Sequence, residues 1–292
     1  MKLSDLWLIL LALGATAALV FMAVLNVNIP ELPLPDRPAP AQYVPPSADA
    51  NPQGTIRGIV RWRGDLPEQD VIGGLIQTDE GSRWTFVPNP FMPKVSNVHR
   101  GIAGAVVYLK QVDAKQSKPW DRGPVKLEMR KNELQIQQQG SSASIGFVRV
   151  GDAVGFVNRD AEYHSVRARG AAFFTLPFPQ ADQPLERTLT QPGHIDLSSG
   201  AGYFWCGADL FVCEHPYFTT TNAEGKFELN RVPAGNYEVR AWLRPYRILS
   251  RDRDPETGRI VRLHFADLPE ATANVLVPKL GVAEAELSLS AK

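Results

Sequence analysis

The soft-ligand chemistry available to this 292-residue chain rests on two cysteines and five histidines. Thiolate and neutral imidazole are the ligand types that suit copper, and Cys213 places a sulfur two positions before His215. The cysteines have a second use. In an oxidising compartment Cys206 and Cys213 could pair across a hairpin with its turn at Gly207–Asp209, provided their Cα atoms come within ~7 Å. Asp152, Asp160 and Glu162 precede His164, in a turn-rich acidic stretch of the kind that is usually solvated. The run from Asp252 to Gly258 is acidic too, but its spacing misses the EF-hand pattern and arginines intersperse it, so it reads as a surface loop. No G-x-S-x-G, P-loop or H-E-x-x-H is present, and the expectation is a protein with no catalytic residues. Basic and acidic residues number 31 each, which leaves no net charge to draw the chain to nucleic acid.

The elements that must position these residues are strands. Beyond residue 53 no window keeps a 3.6-residue apolar period. Short alternating or β-branched runs recur between Gly, Pro, Asn and Asp clusters, predicting an all-β body of two β-sandwich modules. The expected strands include Thr55–Trp62, Ala105–Leu109, Val125–Met129, Phe147–Val150, Ala153–Val157, Lys226–Leu229, Tyr237–Trp242, Ile260–Phe265 and Asn274–Val277. Asn222–Gly225 and Pro233–Asn236 carry turn chemistry. Val71–Asn97, with Trp84, Phe86, Phe91 and Met92, reads as a long loop.

The amino-terminal end is of another kind. Leu6–Leu25 is twenty residues without a charge, long enough at ~1.5 Å per residue to cross a bilayer. A secretory signal is the competing reading, since Ala15–Thr16–Ala17 resembles a cleavage site, but that site lies inside the apolar run. Lys2 before the helix, against Glu31 and Asp36 beyond it, places the short N-terminus in the cytoplasm and the body outside. Residues 1–28 are thus expected to be a single-pass anchor in a bacterial cytoplasmic membrane. Residues 29–53, with eight prolines from Pro30 to Pro52, are expected to be a semi-rigid stalk on the periplasmic side.

Two stretches resemble known families. Residues 219–243 (TTTNAEGKFELNRVPAGNYEVRAWL) look like the end of a carboxypeptidase regulatory-like, or prealbumin-like, sandwich. The opening strands of that family resemble Gly58–Ile59–Val60 and Gly104–Leu109, far upstream. Between them, Val148–Val166 (VRVGDAVGFVNRDAEYHSV) and Gln191–Leu197 (QPGHIDL) resemble a cupredoxin, with His164 on that family's first copper-ligand position. The resemblance implies one module inserted in another: 54–123 and 216–292 would build the prealbumin-like sandwich, and 124–215 the cupredoxin-like one. It also implies where the remaining ligands should fall, and there the residues are Ser199, Tyr203 and Cys206 in place of cysteine, histidine and methionine. The expectation is therefore a non-catalytic, membrane-anchored accessory subunit with no bound cofactor, contacting other subunits of a respiratory or photosynthetic complex. The alternative is a tethered copper carrier with a rearranged site, its ligands His164, Cys206 and His215.

The anchor reading makes a direct prediction. Full-length protein should require detergent for extraction, and a chain starting near Gln53 should be soluble. Native protein recovered soluble, with its N-terminus beyond residue 18, would show the segment to be a cleaved signal.

Overall fold

The computed structural model describes Tyr43, residues 53–78 and residues 81–290. The expected anchor and, Tyr43 apart, the stalk lie outside the described residues. Among the described residues no helix is long and apolar enough to cross a membrane. The secondary structure is almost wholly β. In chain order the strands are β1 (Gln53–Trp62), β2 (Val71–Thr78), β3 (Gly81–Pro88), β4 (Lys94–Val95), β5 (Ile102–Ala103), β6 (Val106–Lys110), β7 (Lys126–Arg130) and β8 (Glu133–Gln138). There follow β9 (Ser141–Ala143), β10 (Ile145–Arg149), β11 (Ala153–Asn158), β12 (His164–Gly170), β13 (Phe174–Phe178), β14 (Leu185–Thr188), β15 (Gly193–Ser199) and β16 (Gly207–Cys213). The last seven are β17 (Phe218–Thr220), β18 (Lys226–Pro233), β19 (Gly235–Trp242), β20 (Ile248–Arg253), β21 (Ile260–Phe265), β22 (Ala271–Val277) and β23 (Val282–Leu289).

Period-two burial explains how these strands associate. In β19, Tyr237, Val239 and Ala241 are buried; in β23, Ala283, Ala285, Leu287 and Leu289 are. Their apolar faces close on Ile56, Val60, Val107, Leu109 and Leu229 to form one core. Two sheets carry it, ordered β18-β1-β23 and β17-β6-β19-β22. Strand β1 runs antiparallel to β18, with Gly58 opposite Phe227, and parallel to β23, with Trp62 opposite Leu289. Glycine is required at 58 because a Cβ there would sit 2.1 Å from the Ala285 carbonyl oxygen.

Every strand from β7 to β16 belongs elsewhere. These form two five-stranded sheets, β10-β16-β15-β12-β13 and β14-β11-β7-β8-β9, around Leu127, Ile136, Phe156, Val166, Leu176, Ile195, Leu197 and Leu210. In sequence they fall between β6 and β17 of the first sandwich, so the chain leaves one core, builds a second, and returns. Tyr43 packs at the edge of this second core with the Arg149 guanidinium 4.8 Å from its ring centroid.

The two sandwiches meet on the outer face of β15 and β16. Arg244, just past β19, donates through Nη1 to Asp209 Oδ2 at 2.7 Å and through Nη2 to Asp196 Oδ1 at 2.8 Å. His194 Nε2 lies 2.8 Å from the other Asp209 oxygen. Trp242 packs edge-on against Phe211, ring centroids 5.1 Å apart, and lies 4.7 Å from the His194 ring. Asp209 is 2 % exposed. Burial alone would raise its pKa, but the Arg244 charge and the His194 hydrogen bond outweigh that and hold it below the usual carboxylate range.

Two local expectations are corrected. Val71–Asn97 is not a loop, since β2 and β3 pair along their whole length as a hairpin. Its glycines make room for rings: a Cβ on Gly73 would meet the Phe86 ring at 2.8 Å, and one on Gly74 the Phe204 ring at 2.4 Å. Nor is Cys206–Cys213 a hairpin, because Gly207–Cys213 is one straight strand whose residues are almost all buried. A seven-residue strand at ~3.3 Å per residue holds the two sulfurs about 20 Å apart. Both cysteines are free.

Asp209→Asn should cost about 3–5 kcal/mol at neutral pH, because it leaves the buried Arg244 charge underpaired. The sign follows from the lowered pKa: the Asp209 contribution is full above the unfolded-state carboxylate pKa and is lost as pH falls through the folded value. Denaturant unfolding of both proteins should show their stability difference shrinking in acid.

Candidate functional site

His164 opens β12, and Ser199 closes β15. Val166 pairs with Ser199 and Ser198 with Gly207, so the start of β12, the end of β15 and the start of β16 share one end of the sheet. The loop from Gly200 to Cys206 folds back over that end. Its Tyr203 ring comes 5.1 Å from the His164 ring, and its last turn closes by Cys206 N donating to the Tyr203 carbonyl at 3.0 Å.

Opposite stands the tight turn between β7 and β8. Lys131 and Asn132 both have positive φ, 54° and 58°, as a two-residue hairpin of primed type demands. Both N–H groups donate to the Asp160 carboxylate, at 2.6 and 2.9 Å. The Asn132 carbonyl in turn accepts from Trp205 Nε1 at 2.9 Å and from the Cys206 thiol at 2.6 Å. Asp160 also meets His164 Nε2 at 3.1 Å. One turn and one carboxylate thus tie together His164, Trp205 and Cys206. His164 is fully buried, and its Nδ1 has no hydrogen-bond partner. His164 stands at a strand start, and the partner of its Nε2 is a side-chain carboxylate.

The electrostatics follow from this packing. Burial would raise Asp160, but the Asn132 and Lys131 amides, with His164, hold it below the ordinary value. Burial pushes the Cys206 thiol up to about 12, with Glu133 and Asp160 adding to it. Burial also raises Cys213 well above an ordinary thiol. Both stay protonated at neutral pH, so neither is a nucleophile. Asp160, Glu162 and His164 bring their ligating atoms within 4.8 Å of one another, but the Asp160 oxygens are already committed to two amides and an imidazole.

The structure therefore brings His164 and Cys206 to one end and excludes His215. That residue follows Cys213, at the far end of β16, where its Nδ1 accepts from Tyr217 N at 3.3 Å and its ring stacks on Phe218 with centroids 5.1 Å apart. Burial lowers its pKa to about 4, which keeps it neutral. The set His164, Cys206 and His215 cannot converge. Asp152 lies apart as well, paired with Arg149 at 2.7 Å, and the Asp254 carboxylate is folded into its own turn, accepting from Glu256 N and Thr257 N. Asn132 and Arg244 escaped the sequence reading. An Asn at the second position of a tight turn was the available signal for the first; nothing local marked the second.

No protein-family model matches this chain, and no curated protein does. Among solved structures, a mutant of amicyanin in its Cu(I) state aligns at 21 % identity over 31 % of this chain and 83 % of its own, with a TM-score of 0.25. A copper-containing nitrite reductase from Thermus scotoductus aligns at 20 % identity over 36 % of this chain and 25 % of its own, TM-score 0.26. A purple cupredoxin from Nitrosopumilus maritimus aligns at 15 % identity over 30 % of this chain and 98 % of its own, TM-score 0.24. Scores of this size carry no weight for the chemistry of this chain. What does is the donor set. A blue-copper centre needs a thiolate and two imidazoles converging on one point. Here one imidazole faces a phenol ring, and the nearby thiol is spent on a carbonyl. The residues do not fit that centre.

Thiol titration checks this geometry. Native protein should react with neither cysteine at neutral pH within minutes, and two thiols per chain should appear on unfolding. One fast-reacting thiol, or none after unfolding without reductant, would contradict it.

Proposed function

We propose that the protein is a non-catalytic accessory subunit, anchored in a bacterial cytoplasmic membrane by Leu6–Leu25 with its body on the outer side. In this reading its two sandwiches are a prealbumin-like module and an inserted cupredoxin-like one that no longer carries copper. The setting is an energy-transducing membrane complex, and other subunits are its partners. The observation that carries the reading is the condition of the Cys206 thiol. It is buried, donates to the Asn132 carbonyl and is pushed to about 12, so it supplies no thiolate beside His164. His164 is fully buried, and its Nε2 is held by the Asp160 carboxylate. What the body offers its surroundings is surface: Trp84 is 57 % and Phe86 72 % exposed on the β2–β3 hairpin, a pairing that suits contact with another protein.

One observation favours a second reading, a copper-handling protein: the His164 Nδ1 is buried without a partner, beside Cys206. Copper analysis separates the two. Protein isolated without added metal should hold no stoichiometric copper and show no intense visible thiolate-to-copper band. His164→Ala should lower stability modestly and leave the assembly's activity in place. Near-stoichiometric copper, with such a band lost in Cys206→Ser, would overturn the accessory reading.

A further inference from the structure

The outer face of the β12–β15 sheet carries an unbalanced charge. Arg167 and Arg169 alternate with the buried Val166 and Ala168, so both guanidiniums leave the sheet on the side covered by the β20–β21 hairpin. There a cavity of about 260 Å³ opens between sheet and hairpin, lined among others by Arg169, Arg262, Arg244, Ser198, Ser199 and Tyr203. Arg167 fixes the hairpin against the sheet, Nη1 donating to the Val261 carbonyl at 3.4 Å and Nη2 to the Gly200 carbonyl at 3.3 Å.

Each acid nearby already has a basic partner. Asp196 lines the cavity but accepts from Arg244 at 2.8 Å, and Asp209 accepts from Arg244 and His194. Asp252 stands opposite Arg262 across the hairpin, yet its carboxylate meets His264 Nε2 at 2.8 Å. Among the described residues, the guanidiniums of Arg169 and Arg262 have no hydrogen-bond or ion-pair partner beyond the strand pairing of their backbones. Burial depresses the Arg169 pKa, and the Arg262 and Arg167 charges push it the same way, against a weaker pull from Asp196. A guanidinium does not discharge by losing its proton, so like charges held together around a concavity call for a counter-charge from outside. Forked N–H donors match the oxygens of an oxyanion, and Ser198, on the same strand face as Asp196, adds a neutral hydroxyl to the lining.

We propose that this cavity binds a small multivalent oxyanion of phosphate type, clasped between Arg169 and Arg262 with Arg167 behind them. The proposal is independent of the accessory-subunit reading, because it uses neither the anchor nor His164. Arg244 is not part of the clasp. Its charge is already met by two aspartates, and it forms the floor.

Calorimetric titration of the full-length chain in detergent with inorganic phosphate, against sodium chloride at matched ionic strength, tests it. Saturable binding near one phosphate per chain is expected, with a rise in thermal midpoint that chloride does not give. Arg169→Gln and Arg262→Gln should each weaken phosphate binding about tenfold or more, as loss of a charge-assisted contact implies. Without phosphate, Arg262→Gln should melt at or above the wild-type temperature, since removing one like charge relieves repulsion; a merely structural arginine would predict the reverse. Arg262 is exposed, so this variant keeps the test alive if Arg169→Gln fails to fold. No saturable phosphate binding to the folded wild type, or an unchanged affinity in Arg262→Gln, would overturn the proposal.

Discussion

The Arg244–Asp209 ion pair fixes the relation between everything else in the body. Arg244 extends from the end of β19 in one sandwich, and Asp209 lies on β16 in the other. Withdrawing two such charges from water costs several kcal/mol each, which is recovered only with good geometry and further hydrogen bonds. Here Asp196 and His194 supply those bonds, and Phe211 and Trp242 exclude water beside them. A pair that demanding has a narrow range of workable geometries. It therefore acts as a positional lock, holding the β15–β16 face against the strands around β19.

In the same sandwich the strand ends and the inward faces are used differently. At one end, a phenol stands against an imidazole and a thiol is tied to a carbonyl; at the other, a histidine is stacked and neutral. None of this disturbs the inward faces: buried side chains alternate along β15, and β16 is buried on both faces. Strand registers depend on the inward faces, so residues at strand ends and on the outward face are free to diverge. Here the strand ends are taken up by packing, and the outward face by the junction between the two sandwiches.

Much of this architecture was legible in the sequence where the signal was periodic. Strands at Thr55–Trp62, Lys226–Leu229 and Tyr237–Trp242 announce themselves by alternation, and the observed β1, β18 and β19 contain them. The β2–β3 hairpin was missed because Gly73 and Gly74 interrupt its pattern, and the glycines are explained only by the Phe86 and Phe204 rings lying over them. The Cys206–Cys213 run was misread because a strand buried on both faces has no alternation to show, while Gly207 looked like a turn. At the site, His164 stood out as a residue type. Its neighbours did not: Asp160 read as part of a solvated acidic stretch, and Asn132 joins Asp160 from a hairpin turn distant in sequence. Arg244, Asp196 and Asp209 are ordinary charges until folding brings them together.

The parallel pairing of β1 with β23 sets an order of events on the growing chain. The first strand of the body finds one neighbour only in β23, the last strand among the described residues, and its other neighbour, β18, also follows the whole inserted sandwich. Contacts so distant in sequence form slowly, because the loop must close before they stabilise anything. The inserted sandwich has all its strands and its own core in hand much earlier. It must fold while β1 waits, its edge hydrogen-bonding groups unpaired, and by closing the distance between β6 and β17 it shortens the loop that the outer sandwich has still to close.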